Sequence, residues 1–163
     1  GDGSFTDVTT TTGVLDDASR KSMQVVFNDF NDDRLPDLFV TNDTDANGFY
    51  LNKGDGTFKQ FSGPSGLSTT DGSMGIALGD VNKDGLTDVV YTNYAAEVNT
   101  LAMLLDNKSS NDGKLNNAVF VQDFESPLLH KLTWPKVSWA PGLYDLDNDK
   151  DLDLFFPLAD LND

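Results

Sequence analysis

An acidic loop followed directly by an apolar segment occurs three times in this chain. The copies read DFNDDRLPDLFVT at residues 29–41, DVNKDGLTDVVYT at 80–92 and DLDNDKDLDLFF at 145–156. In each copy, side chains that carry oxygen stand at loop positions 1, 3, 5 and 9. Leu, Val, Phe or Tyr residues typical of β-strands follow at once. Because each copy must form the same structural unit, this repetition constrains the fold more than any single motif.

The similarity extends beyond the loops. A Ser followed by Met or Trp precedes each loop at the same spacing, and GDGTF at 54–58 is matched by GDGSF at 1–5. Each unit therefore reads as four strands with the acidic loop between the first and second. Strands are expected near residues 22–28, 36–41, 48–52 and 57–61, then near 73–79, 87–92, 101–105 and 118–122, and finally near 138–144 and 152–157.

Four-stranded units repeating every 40 to 50 residues or so are typical of β-propeller blades. The predicted fold is all-β, with antiparallel blades in an incomplete ring. Residues 1–163 form a single repeat region in this interpretation: 1–9 is the last strand of a preceding blade, 22–62 and 73–122 are whole blades, and 138–163 is the first half of another. Since two whole blades cannot close a ring of roughly 4 to 8, the expected partners are the remaining blades of the same propeller. The alternative is a short protein whose open ends pair with other copies of the chain.

The loop spacing predicts calcium sites. Ca²⁺ takes about six to eight oxygen ligands, and side chains at positions 1, 3 and 5 with a backbone carbonyl at position 7 supply them from one tight turn. An Asp at position 9 completes each set. The candidate metal ligands are Asp29, Asn31, Asp33, Leu35 and Asp37 in the first loop, Asp80, Asn82, Asp84, Leu86 and Asp88 in the second, and Asp145, Asp147, Asp149, Asp151 and Asp153 in the third.

An EF-hand loop begins in the same way but needs an acidic residue at position 12, inside a helix. Position 12 here is Val40, Tyr91 or Phe156, and the chain leaves each loop as a strand. The ion would therefore fasten a tight connection between two core strands. A loop whose acids only solvate the surface is the alternative, which the threefold conservation of spacing disfavours.

The segments SMGIALGDVNKDGLTDVVYTN (73–93), DFNDDRLPDLFVTND (29–43) and FYLNKGDGTF (49–58) resemble the FG-GAP or VCBS repeat of integrin-α-like β-propellers. The nearest resemblance is to the variety found beside ASPIC/UnbV domains, and residues 107–137 match it least. The resemblance implies a propeller stabilised by Ca²⁺ that serves extracellular or periplasmic adhesion and ligand binding, without enzymatic activity.

Position 6 differs among the loops: Gly85 in the second, Arg34 in the first and Lys150 in the third. A residue other than glycine in a left-handed conformation costs about 1 kcal/mol. The third loop offers four carboxylates where the others offer three. The first loop has neither the glycine nor the extra charge, so it is predicted to bind its ion most weakly.

Composition excludes several function classes. The net charge of −16 disfavours nucleic acid and anionic membranes. No apolar stretch approaches the roughly 20 residues of a membrane span. With no Cys and one His, thiolate chemistry, a zinc site and a Ser/His/Asp triad are all disfavoured. His130 is interpreted as a surface or packing residue, and the stretch from Trp134 to Trp139 as blade packing, although it could stack on a sugar ring.

The function predicted from the sequence is that of an extracellular, cell-surface or periplasmic binding or scaffold module with no catalytic residues. Its ligand, protein or glycan, is not specified by the sequence. A subunit of a self-assembling extracellular array and a non-catalytic domain of a polysaccharide-active enzyme are the alternatives. Asn42 and Asn107 fit the N-glycosylation pattern, which matters only in a glycosylating secretory pathway.

Overall fold

Two antiparallel four-stranded sheets are the largest elements of the fold in the described part of the chain. The structure is a computed structural model that describes residues 2–14, 19–106, 117–123, 129, 131, 133, 134 and 136–160. The first sheet has the order β1 (Ser22–Asn28), β2 (Asp37–Asn42), β3 (Gly48–Asn52) and β4 (Phe58–Gln60). The second has the order β5 (Ile76–Gly79), β6 (Asp88–Tyr91), β7 (Thr100–Leu104) and β8 (Phe120–Gln122). This all-β arrangement agrees with the expected blades, and each strand lies within three residues of its predicted bounds.

A third unit contains four short strands. β10 (Gly142–Tyr144) pairs with β11 (Asp153–Phe155) around the third acidic loop, and β9 (Val137–Ser138) pairs with β12 (Leu158–Ala159). The strand predicted near residues 138–144 is therefore interrupted, whereas β11 lies within the strand predicted near 152–157 and β12 follows it. Pro141 lies at the interruption and Pro157 lies between β11 and β12, and proline has no N–H to donate to a ladder.

The structure differs from the prediction that residues 1–9 form the last strand of a preceding blade. Among the described residues, 2–8 form no strand, and Thr9–Thr12 form the four-residue helix α1. A last strand pairs with the third strand of its own blade, and for this segment that strand would belong to a preceding unit. Both copies of the GDG motif form the same local contact: Asp2 Oδ1 accepts a hydrogen bond from the Ser4 N–H (2.9 Å) and Asp55 Oδ1 accepts one from the Thr57 N–H (2.9 Å).

The hydrophobic core lies between the two large sheets. Its centre is a set of buried aromatic rings whose centroids are 5.5 to 6.4 Å apart: Phe30, Phe39, Phe49, Tyr91 and Phe120. The first three belong to one blade and the last two to the next. A second helical turn, α2 (Ser62–Ser65), joins the blades, and Ser62 Oγ accepts the Phe49 N–H at 2.8 Å. The core thus draws buried apolar residues from both blades, and their burial stabilises the packing of one blade against the next.

Both junctions between consecutive units carry the same hydrogen bond. Thr41 Oγ1 donates to the Met74 carbonyl at 2.5 Å, and Thr92 Oγ1 donates to the Trp139 carbonyl at 2.8 Å. β5 contacts both β1 and β10, so the first strands of the three units lie side by side.

The repeated serine also lies at these junctions. Asn47 Nδ2 donates to Ser73 Oγ at 3.1 Å, and Asn99 Nδ2 donates to Ser138 Oγ at 2.8 Å. All four residues are buried, where a polar group requires a partner. The Ser motif in the sequence is therefore a joint between blades.

Asn42 is buried, with 1% of its surface exposed, and its Nδ2 donates to the Ala46 carbonyl at 2.7 Å. A glycan needs an accessible amide, so the fold makes Asn42 an unsuitable acceptor. Asn107 and His130 lie outside the described residues.

Candidate metal centre

The three acidic loops share one pattern of internal hydrogen bonds. The N–H at position 5 donates to the oxygens of positions 1 and 3. The distances are 3.1 and 3.2 Å for Asp33 to Asp29 and Asn31, 3.1 and 3.0 Å for Asp84 to Asp80 and Asn82, and 3.0 and 3.2 Å for Asp149 to Asp145 and Asp147. Because two side-chain oxygens accept hydrogen bonds from one N–H, the loop brings the candidate metal-ligating oxygens of positions 1 and 3 together.

The carboxylate at position 1 also accepts the N–H at position 6, from Arg34 (2.6 Å), Gly85 (2.8 Å) or Lys150 (3.0 Å). Position 7 follows the same rule. The N–H groups of Leu35, Leu86 and Asp151 donate to the position-5 carboxylates, each at 2.8 Å. The residues expected to offer carbonyl ligands are thus held inside the loops by their own amides.

Position 6 is left-handed in all three loops, with φ of 71° at Arg34, 84° at Gly85 and 76° at Lys150. Position 4 is left-handed too, which the loop spacing did not reveal. Its residues are Asp32 (57°), Lys83 (62°) and Asn148 (64°). Asp and Asn tolerate this conformation, so the signal was present in two loops, whereas Lys83 gave none.

The Asp at position 9 connects the first two loops to the core. Asp37 is fully buried, and its two oxygens accept the N–H groups of Phe30 (3.2 Å) and Asn52 (2.9 Å). Asp88 is equally buried and accepts the N–H groups of Val81 (3.0 Å) and Leu104 (2.9 Å). These contacts fasten the loop to the third strand of its blade, a role that the spacing did not reveal.

The third loop is the most exposed. Asp153 accepts the Leu146 N–H at 2.9 Å, but it is only partly buried. Carboxylate oxygens of Asp145, Asp147 and Asp149 lie within 4.8 Å of one another. Such close like charges repel one another unless a cation lies between them.

The donors of these loops fit calcium. They are carboxylate, amide and carbonyl oxygens, the ligands that a hard cation takes, and their loop positions match those of a calcium turn. The residues that would hold the ions are the fifteen named from the sequence. Bound Ca²⁺ would neutralise the clustered carboxylates. A surface ion pair between Lys83 and Asp151 joins the second and third loops.

Burial perturbs the two inner carboxyls. Desolvation raises the pKa of Asp37 to about 6 from 3.8, against the opposing effect of its two backbone hydrogen bonds. Desolvation likewise raises the pKa of Asp88. In both cases the other carboxylates of the loop add to the rise. Without a cation, these groups keep their protons to a higher pH in the folded chain than in the unfolded one.

This shift predicts an unusual pH dependence in chelator. Since the folded pKa of Asp37 lies above its unfolded value, its contribution to stability is complete below about pH 4 and is lost as the pH rises through about 6. One pKa unit corresponds to about 1.4 kcal/mol, so the effect is at most about 3 kcal/mol. We expect the calcium-free chain to melt at a higher temperature at pH 5 than at pH 7.

The matched variants are Asp37→Asn, which should reduce this dependence to the part that Asp88 contributes, and Asp55→Asn at an exposed turn, which should leave it unchanged. Thermal melts in chelator at the two pH values measure the difference. A melting temperature that falls between pH 7 and pH 5 would contradict the effect of burial.

The two tryptophans of the chain are both substantially exposed. Trp134 and Trp139 are 44% and 49% exposed, so the interpretation of this stretch as buried blade packing is wrong for both rings. Among the residues described, no helix is long and apolar enough to cross a membrane.

The repeated loops and four-stranded sheets define a repeat protein of a known type. Residues 29–91 match the FG-GAP-like repeat model, which confirms for this part of the chain the resemblance seen in the sequence. The chain is also homologous to cartilage acidic protein 1. The identity to the Homo sapiens protein is 31% over 121 residues, which cover 74% of this chain and 16% of that protein. For the Xenopus tropicalis protein the values are 30% over 121 residues, 74% and 17%. The chain spans about one sixth of the length of these relatives.

Proposed function

We propose that this chain is a calcium-binding part of a β-propeller that acts as an extracellular binding or scaffold module. The observation that carries the proposal is the threefold recurrence of one loop geometry. Three loops of different sequence share their left-handed positions and their hydrogen bonds. A strained backbone that gathers carboxylates is costly, and a cation offsets that cost.

The proposed role of the ions is structural. Each loop joins the first two strands of a unit, and its ninth residue is bonded to the core in the first two units. A cation at the loop would fix the hairpin end and neutralise its charge. Nothing in this role requires catalysis, and the proposal assigns the chain no enzymatic activity.

The structural role of the ions also indicates the cellular location of the chain and its affinity for calcium. Extracellular calcium modules work at dissociation constants of about 10⁻⁴ to 10⁻³ M, and a structural site has no need to sense cytosolic transients. The name of the related protein refers to cartilage, which supports an exported location. We therefore propose loops that stay filled at millimolar calcium outside the cell.

The proposed partners include further blades, in this chain or in other copies of it. On β1, Met23, Val25 and Phe27 are 48%, 51% and 60% exposed. They stand at the repeat positions of Met74, Ile76 and Leu78 in the next unit, where Met74 and Ile76 are buried and Ile76 and Leu78 pack in the core shared with the preceding blade. An exposed apolar face of this pattern fits a blade of the same kind.

The opposite end of the chain carries the complementary face. Leu146 is 67% exposed, and it corresponds to Phe30, which is fully buried beneath the following blade. Phe155, likewise exposed, corresponds to the buried Phe39. Both open faces thus repeat the pattern by which the two large sheets pack together.

Calcium titration of the chelator-treated chain tests the proposed function. Calorimetry should detect three ions with dissociation constants near or below 10⁻³ M. Magnesium at the same concentration should compete poorly, because it demands a tighter octahedral shell. Heats no larger than those of buffer at millimolar calcium would overturn the proposal.

The first loop is expected to lose its ion first. It has three carboxylates, and Arg34 holds a left-handed conformation that costs about 1 kcal/mol relative to Gly85. The backbone amides of Arg34, Gly85 and Lys150 report on the loops separately by NMR as chelator is added. The ranking is contradicted if the amide of Arg34 is the last to change.

A further inference from the structure

A groove with a volume of about 390 Å³ opens at the end of the blades opposite the acidic loops. It lies where β1 begins and β2 ends, whereas the first acidic loop joins the other ends of these strands. Its lining includes Met23, Asp43, Met74, Tyr94, Glu97 and Trp139. All three units contribute to it, so it exists only because the blades pack side by side.

The apolar part of the lining follows the repeat. Met23, Met74 and Trp139 each come directly after the repeated serine, and the packing of the first strands brings them to one place. Tyr94 is 47% exposed and Trp139 about equally so. Two aromatic side chains are thus available to a ligand, and their ring faces carry partial negative charge.

Two carboxylates converge on the same groove. A methyl group built on Gly72 would lie 3.2 Å from Asp43 Oδ1 and 3.3 Å from Glu97 Oε2. The Gly72 N–H donates to Glu97 Oε2 at 2.8 Å and fixes that side chain. The absence of a side chain at Gly72 lets the two acidic groups come close together.

No ion pair from the part of the chain that the structure describes neutralises either carboxylate. The neighbouring Lys21 ammonium bonds instead to the carbonyl of Asp43 (3.3 Å), the hydroxyl of Thr44 (2.8 Å) and the carboxylate of Asp45 (3.3 Å). Asp43 and Glu97 are both partly buried, where an uncompensated charge is unfavourable. The groove therefore carries negative charge that a ligand can neutralise.

We propose that this groove binds a cationic side chain, arginine or lysine, presented by a protein partner. Aromatic faces attract a cation, and carboxylates pair with it. A sugar ring also stacks on aromatic side chains, but it has no charge to offset the two carboxylates. Charge complementarity therefore selects the cation. The groove shares no residue with the calcium loops. The proposal therefore does not depend on whether those loops bind calcium.

NMR titration at fixed millimolar calcium tests this assignment. The probes are acetyl-Gly-Ser-Arg-Ser-Gly-amide and the same peptide with citrulline, which keeps the shape of arginine but has no charge. The indole N–H of Trp139 is the reporter. We expect the arginine peptide to shift this signal and to bind about tenfold more tightly than the citrulline peptide.

Charge variants locate the effect. Glu97→Gln keeps an acceptor for the Gly72 N–H but removes the charge. This variant should bind the arginine peptide about tenfold more weakly than the wild type does. Asp71→Asn is the matched control: Asp71 is the chain neighbour of Gly72, but it lines a different cavity with Asn99 and Thr100. This variant should bind as the wild type does.

Three results would overturn the assignment. Equal affinity for the two peptides would show that charge is not recognised. Full binding by Glu97→Gln would place the cation elsewhere. A shift of the Trp139 signal by maltohexaose that survives in Glu97→Gln would identify a sugar platform instead.

Discussion

The Asp80→Ala variant is expected to lose far more stability in calcium than in chelator. Asp80 binds two loop N–H groups, from Asp84 and Gly85, and it is a proposed ligand of the second ion. A ligand present at one hundred times its dissociation constant stabilises the native state by about 2.7 kcal/mol. Removing the site at about 10 mM calcium should therefore cost on the order of 3 kcal/mol.

In chelator the same change has opposing effects. It removes hydrogen bonds within the loop, but it also relieves repulsion with Asp84 and Asp88. The net loss should be small. Thermal or urea unfolding in the two buffers measures the difference, and Asp55→Ala, at a turn outside the loops, should behave alike in both. Equal losses for Asp80→Ala with and without calcium would refute the linkage of ion binding to folding.

Phe30→Ala is expected to be the most damaging single truncation at a calcium loop, at about 3 to 5 kcal/mol. Phe30 occupies position 2 of the first loop, is fully buried and lies 5.5 Å from Phe49 and 5.6 Å from Phe120, measured between ring centroids. Its ring therefore joins its own loop to the next blade. Truncation leaves a cavity at the joint and loosens the loop above it.

Phe27→Ala, three residues earlier, is the matched control, because Phe27 is exposed on the open face of β1. It should change the free energy of unfolding of this chain by no more than about 0.5 kcal/mol. Urea denaturation in calcium provides both values. Similar losses for the two variants would mean that the aromatic cluster does not hold the two blades together.

The spacing of the acidic residues was enough to predict the strand, acidic loop and strand that all three units share. Loop positions 1, 3, 5 and 9, followed at once by β-branched and aromatic residues, indicated a strand, a tight turn and a strand. The first two blades formed as expected because these signals are local. Assignment of residues 29–91 to the FG-GAP-like repeats confirms the resemblance on which the family prediction depended.

Where a segment depends on a neighbour, the sequence was a weaker guide. GDGSF looks like GDGTF, yet residues 2–8 form no strand, because strand pairing needs a partner that the local sequence does not contain. Trp139 looked like core material, but its ring lies in a groove among three units. Its exposure depends on how the blades sit beside one another.

The sequence by itself determined the strand order within a unit, the loop positions and the identity of the proposed calcium ligands, since all of these depend on short-range spacing. Tertiary structure decided the rest. It buried Asp37 and raised its pKa, it turned the repeated serine into a joint between blades, and it brought Asp43 and Glu97 together beside Gly72. These features depend on contacts between residues far apart in the chain, which a repeat pattern does not specify.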